Sequence, residues 1–180
     1  MIQKLLIVLL LCLFVFSCDS IQHLKVSKSD SEFHNITEKG RQDYQQFDIR
    51  DLIHIHVQSH IFQENLLNIE FVIVNNGDRT ISYEVDKLHV SLNKKKLVFE
   101  RVARDSKTYF GSKNSKVVEL KKASKKFIIP AGRRIKINYS LKTKNPDEVI
   151  TLNSPIRVSN SGFIINRKRD KLSFNLNPKN

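Results

Sequence analysis

Leu67-Asn68-Ile69-Glu70-Phe71-Val72-Ile73-Val74-Asn75-Asn76-Gly77-Asp78 is the stretch from which the fold is read. Leu67, Ile69, Phe71 and Ile73 recur at every second position, the period of a strand with one face in a core. Asn75-Asn76-Gly77-Asp78 then supplies residues suited to a turn. Upstream, Ile53, Ile55 and Val57 give a second strand with the same alternation. Downstream, Ile81, Tyr83 and Val85 share one parity, but Leu88, Val90 and Leu92 hold the other. A strand repeats every two residues, so this flip predicts a bulge or short break around Asp86-Lys87.

The rest of the chain continues in the same manner. Asn93-Lys94 turns back into 97–102, and a loop is expected over 103–115. Short apolar pieces follow at 117–120 and 127–129, then Pro130-Ala131-Gly132, expected as a type I turn with Pro second and Gly fourth. Ile135, Ile137, Tyr139 and Leu141 alternate most cleanly, and Asn145-Pro146-Asp147 breaks that strand. Ile156 and Val158 precede a turn expected at Asn160-Ser161-Gly162, and Phe163–Ile165 should pair with Leu172, Phe174 and Leu176. No helical period persists beyond the amino terminus. About eight short strands with regular turn signals imply an all-β chain, a single antiparallel β-sandwich over 47–180. The run from Leu67 to Leu92 resembles the immunoglobulin-like domains of many small bacterial lipoproteins, without their antibody relatives' cysteine pair and tryptophan. That resemblance implies an architecture and no activity.

The amino terminus carries a different signal. Lys4 precedes an unbroken apolar run from Leu5 to Phe16, too short to span a bilayer comfortably and suited to a secretory leader over 1–17. Val15-Phe16-Ser17-Cys18 resembles the lipobox of bacterial lipoproteins, which implies cleavage before Cys18, diacylation of its thiol and a membrane anchor. Ordinary signal-peptidase cleavage or an uncleaved anchor are the alternatives. The only cysteines are Cys12, inside the leader, and Cys18, so no mature disulfide competes for that thiol. Residues 18–46, rich in Ser, Asp, Glu, Lys and Gln, read as a flexible tether of about 30 Å root-mean-square span.

The chain of 180 residues has 31 basic and 18 acidic residues, and loss of Lys4 with the leader leaves a formal +12. Such a balance points to anionic surroundings: an acidic envelope glycan, lipid headgroups or an acidic envelope protein. The candidate anion-binding residues are Lys94, Lys95, Lys96, Lys121, Lys122, Lys125 and Lys126, with Arg167, Lys168 and Arg169 near the carboxyl end. Nucleic acid is not an expected partner of an anchored envelope protein. His54, His56 and His60 would project from one face of a strand, which makes them candidate ligands for zinc or copper. No nucleophile elbow, zinc-protease helix or phosphate-cradling glycine loop is present, so no catalytic residue is assigned. The sequence thus leads to a lipid-anchored, non-catalytic binding, adhesion or assembly module, with a metal-binding or purely structural envelope protein as rivals.

Overall fold

The computed structural model describes residues 21–38, 42–50, 52–62, 65–107, 113–117, 126–145, 148–151 and 153–178. The leader, Cys18, Lys121, Lys122 and Lys125 lie outside them.

Among the described residues, fourteen antiparallel strands follow one another: β1 Ile21–Ser29, β2 Phe33–Glu38, β3 Gln42–Ile49, β4 Ile53–Phe62, β5 Leu66–Asn75, β6 Ile81–Glu84, β7 Leu88–Leu92, β8 Lys95–Lys96, β9 Val98–Lys107, β10 Lys113–Val117, β11 Lys126–Ile129, β12 Arg133–Lys142, β13 Ile156–Ile165 and β14 Lys168–Pro178. One half is ordered β2-β3-β4-β5-β12-β9-β10, and the other runs β14-β13 with β6-β11 and β7-β8 beside it. The strand β1 joins the halves. Its first residues pair with β4 (Ile21↔Phe62, Leu24↔Ser59), and the remainder pairs with β14 (Leu24↔Pro178, Ser29↔Phe174).

The halves face each other over an aromatic and aliphatic core, each large apolar side chain contributing about 1.5–3 kcal/mol of burial. Phe47 stacks on Phe174 at 5.1 Å, and Phe71 meets Phe174 and Tyr139 at 6.5 and 5.8 Å. Across one open side of the sandwich, the Arg104 guanidinium lies 4.7 Å over the Phe127 ring, bridging β9 and β11. The expected all-β antiparallel sandwich is therefore present, and the buried phases of β4, β5, β7 and β12 are those of the sequence pattern.

Several details differ from the sequence expectation. The segment expected as a tether contains β1, β2 and most of β3, with Leu24, Val26 and Tyr44 buried. Few of its residues point inward, so its period is faint; β2 and β3 pair with each other and with β4, while the hydrogen bonds of β1 are made with β4 and the distant β14. The loop expected over 103–115 is instead largely a hairpin of β9 and β10, Lys107 opposite Lys113. The short break expected around Asp86-Lys87 is present, as one 3-10 turn at Val85–Lys87. Asn160-Ser161-Gly162 is not a turn: β13 runs through it with a register irregularity.

That irregularity is built into the core. Asn160 Nδ2 donates to the Tyr83 hydroxyl at 2.8 Å, Tyr83 and Tyr139 hydroxyls meet at 2.8 Å, and Tyr139 donates to the Val85 carbonyl at 3.2 Å. Asn160 Oδ1 accepts the Gly162 N–H at 3.0 Å. The chain satisfies three buried polar side chains and ties the parity flip at Val85 to the irregular strand β13. Burial pushes the Tyr83 hydroxyl up to about 12 and raises Tyr139 as well. The turn before β12 is type II: Arg133 N–H donates to the Pro130 carbonyl, and Gly132, third of the four, has φ +67°.

Candidate anion-binding surfaces

The strand register gives the sandwich two distinct ends. At one, the entry end, β1 begins opposite the end of β4 and the β7–β8 turn is found, because Ser91 pairs with Arg157 near the start of β13. At the other, the hairpin end, β13 turns into β14 through Asn166-Arg167, and β3, β5 and β12 finish or start (Ile49↔Ile53↔Asn75↔Arg133). Both tight turns, Asn93-Lys94 and Asn166-Arg167, have positive φ at each residue, and an asparagine in the first position tolerates this best.

The candidate cations are consequently not one patch. Lys94, Lys95 and Lys96 lie at the entry end, whereas Arg167, Lys168 and Arg169 lie at the hairpin end. A ten-residue strand, about 33 Å of chain, separates the two ends. Lys126 stands on neither, opposite Glu84, the last residue of β6. Arg169 is held by Glu84 at 2.8 Å and by the Ser161 carbonyl at 2.7 Å, so its charge closes β14 onto β6. Lys95 pairs with Glu148 at 2.8 Å, while Lys94 and Lys96 are exposed and unpaired among the described residues.

Sequence reasoning did not find the row that accompanies the entry-end lysines. Lys28 stands opposite Asn175, Asn175 opposite Arg157, Arg157 opposite Ser91 and Ser91 opposite Lys96. The outer face of the second half thus carries cations on alternate strands, about 10 Å apart. Lys25, opposite Asn177, extends this face toward the entry end. Asp170, the one carboxylate on β1, β7, β8, β13 and β14, is on the core-facing parity and binds Arg50 at 2.9 Å. Lys144 and the exposed apolar residues Ile21 and Val149 lie at the same end. No local pattern links residues 25, 28, 96, 144 and 157; only the pairing of strands does.

At the hairpin end, beside Lys168 and Lys171, the cations are mostly arginines. Arg50, Arg79, Arg133, Arg134, Arg167 and Arg169 come from four separate turns and strand ends brought together by the sheet order. Within them lies an open hollow of about 300 Å³, walled by Arg50, Asn75, Asp78, Arg79 and Asn166 over Ile53, Ile81 and Ile165.

The strand histidines do share one face, as their spacing implied, but each has its own neighbour. His54 Nδ1 lies 2.5 Å from Asp48, with Gln46 Nε2 at 3.2 Å. Burial would raise Asp48; hydrogen bonds from His54 and Gln46, with the charges of His54 and His34, outweigh it and hold the carboxyl below its usual value. The His56 ring sits 6.1 Å from Tyr44, whose hydroxyl donates to Glu70 at 2.8 Å. His60 has Asn68 at 3.4 Å and the His23 ring at 6.1 Å. Burial lowers its pKa, the His23 charge adds to this, and Glu70 opposes it. From His54 to His60 is about 20 Å of strand, and among the described residues no three His, Cys, Asp or Glu side chains come together as a metal centre requires. The zinc or copper site expected from His54, His56 and His60 as a set is therefore not assembled. Searches against known protein families, curated proteins and solved structures find no match to this chain.

Proposed function

We propose that this chain is a membrane-anchored lipoprotein of the cell envelope, acylated at Cys18, whose sandwich is a non-catalytic binding module seated directly on an anionic bilayer by its entry end. One positional observation carries the reading. The strand β1 begins at Ile21, three residues beyond Cys18, at the end that gathers Lys94, Lys96, Lys144 and the cationic row. Three residues reach at most about 10 Å, so an acylated Cys18 would hold this end at the headgroups. Each lysine close to an anionic leaflet contributes about 1 kcal/mol, and exposed Ile21 and Val149 suit the interface between water and acyl chains. Of the anionic partners that net charge allows, the lipid headgroup is the one this arrangement favours over a glycan or an acidic protein.

The test uses the mature chain from Asp19, without lipid, sedimented with vesicles. It should bind vesicles containing phosphatidylglycerol, lose that binding steeply with salt, and ignore phosphatidylcholine alone. Replacing Lys94, Lys96 and Lys144 together by glutamine should abolish retention. Equal binding to neutral vesicles, or indifference to the triple change, overturns the docking. The anchor has its own check: Cys18→Ser should lose both incorporated palmitate and membrane retention of the full chain.

A further inference from the structure

The hollow at the hairpin end faces away from the proposed membrane contact, and its chemistry is mixed in a specific way. Its floor is aliphatic, from Ile53, Ile81 and Ile165, with Leu52 at the mouth 51% exposed. Two guanidinium groups stand on its wall. That of Arg50 is committed to Asp170 at 2.9 Å, across the two halves of the sandwich. Arg50 also takes a left-handed backbone, φ +52°, in a turn where Leu52 N–H donates to the Arg50 carbonyl at 2.7 Å. A non-glycine residue held there costs energy, and it persists because the surrounding contacts fix it. Arg79, by contrast, is exposed and has no ion-pair partner among the described residues.

The polar groups beneath Arg79 are already satisfied. Asn75 Nδ2 donates to the Arg79 carbonyl at 2.8 Å and to the Ile129 carbonyl at 3.0 Å, and Asn75 Oδ1 accepts the Gly77 N–H at 3.1 Å. The loop carrying Arg79 is thereby pinned to the end of the sheet. What remains is an exposed Arg79 guanidinium without an ion-pair partner among the described residues, with the Asp78 carboxylate beside it on the wall and an aliphatic floor below. Carboxylate binds guanidinium through paired, charge-assisted hydrogen bonds, and a short hydrocarbon chain fills an aliphatic hollow of this size.

We infer that this hollow is a binding site for an apolar group ending in a carboxylate, with Arg79 as the anion partner and Ile53, Ile81 and Ile165 as the apolar seat. A free short-chain carboxylic acid and the apolar carboxyl-terminal residue of a peptide present the same chemistry. The site stands on its own geometry and does not depend on the lipid anchor.

The mature chain, labelled with nitrogen-15, would be titrated with hexanoate, N-acetyl-leucine, hexanol and acetate while backbone amides are followed. Hexanoate or N-acetyl-leucine should shift the amides of Ile53, Gly77, Ile81 and Asn166. Hexanol, lacking the charge, and acetate, lacking the hydrocarbon, should each bind at least about tenfold more weakly. Arg79→Gln, at an exposed position that leaves the core intact, should weaken hexanoate by a similar factor while the rest of the spectrum is unchanged. Stronger binding by N-acetyl-leucine identifies a peptide terminus, and stronger binding by hexanoate a free acid. No localised shift with either carboxylate, hexanol binding as tightly, or an Arg79→Gln chain that binds undiminished overturns the site.

Discussion

At the scale of single residues, the most demanding position is Gly162. A Cβ there would overlap the Glu84 carbonyl oxygen and lie 2.9 Å from Cε2 of Tyr83. The backbone of β13 comes this close because Asn160 spends one side-chain atom on the Gly162 N–H and the other on Tyr83. Gly162 is therefore required for a close approach, whereas Gly132 is required for its dihedral angles, with φ +67° and open space around it. The two substitutions separate these causes. Gly162→Ala should cost about 1–3 kcal/mol through forced displacement of packed atoms, and it should disturb the aromatic signals of Tyr83. Gly132→Ala should cost about 1–2 kcal/mol through left-handed strain alone and leave those signals in place. Urea unfolding with aromatic proton spectra checks both; an unchanged Tyr83 environment in Gly162→Ala would remove the tyrosine network from this account.

At the scale of elements, β1 is what the sequence conceals. It leaves β4 at Leu24 and continues on β14, so at Val26 its backbone has lost the strand on one side. The Gln45 side chain takes that place: the Val26 N–H donates to Gln45 Oε1, and Gln45 Nε2 lies 3.4 Å from the Val26 carbonyl. A glutamine on the core-facing parity of β3 breaks the apolar alternation, which is why residues 18–46 look like linker. The hydrogen bonds that make β1 a strand come from partners up to about 150 positions away, and no local pattern reports them. Ile53–Val57, Leu67–Ile73 and Ile135–Leu141 were legible for the opposite reason, since their inward faces are uniformly apolar. The histidine face of β4 was legible with them. The separation of Lys94–Lys96 from Arg167–Arg169, and the gathering of Arg50 and Arg79, depended on strand order and were not. Two measurements follow. Gln45→Ala should lose about 1–3 kcal/mol for the buried amide groups left unpaired. A chain starting at Phe47 should show no cooperative urea transition; a normal transition would make β1 dispensable and restore the tether.

At the scale of the whole molecule, replacing a tether by strands changes where the domain can be. A flexible linker of 28 or so residues would let the sandwich tumble about 30 Å from the bilayer, with every lysine equally wet. Strand pairing from Ile21 instead leaves two residues, three steps of chain, between Cys18 and the folded body, at most about 10 Å. With the proposed acylation at Cys18, the domain would have one orientation, the entry end at the headgroups and the arginine-walled hollow toward the aqueous space. Amine acylation by a membrane-impermeant reagent distinguishes the two arrangements. In acylated protein reconstituted in phosphatidylglycerol vesicles, Lys94, Lys96 and Lys144 should react several-fold more slowly than in the detergent-released chain. Lys168 and Lys171, on or beside the opposite hairpin, should react at the same rate in both. The comparison is internal, since all five side chains share one chemistry and differ in their distance from the anchor. Uniform protection would indicate a domain lying flat along the second half's outer face, with Lys25, Lys28 and Arg157 down. Uniform reactivity would mean that a mobile spacer precedes the sandwich, against the pairing of Ile21 with Phe62.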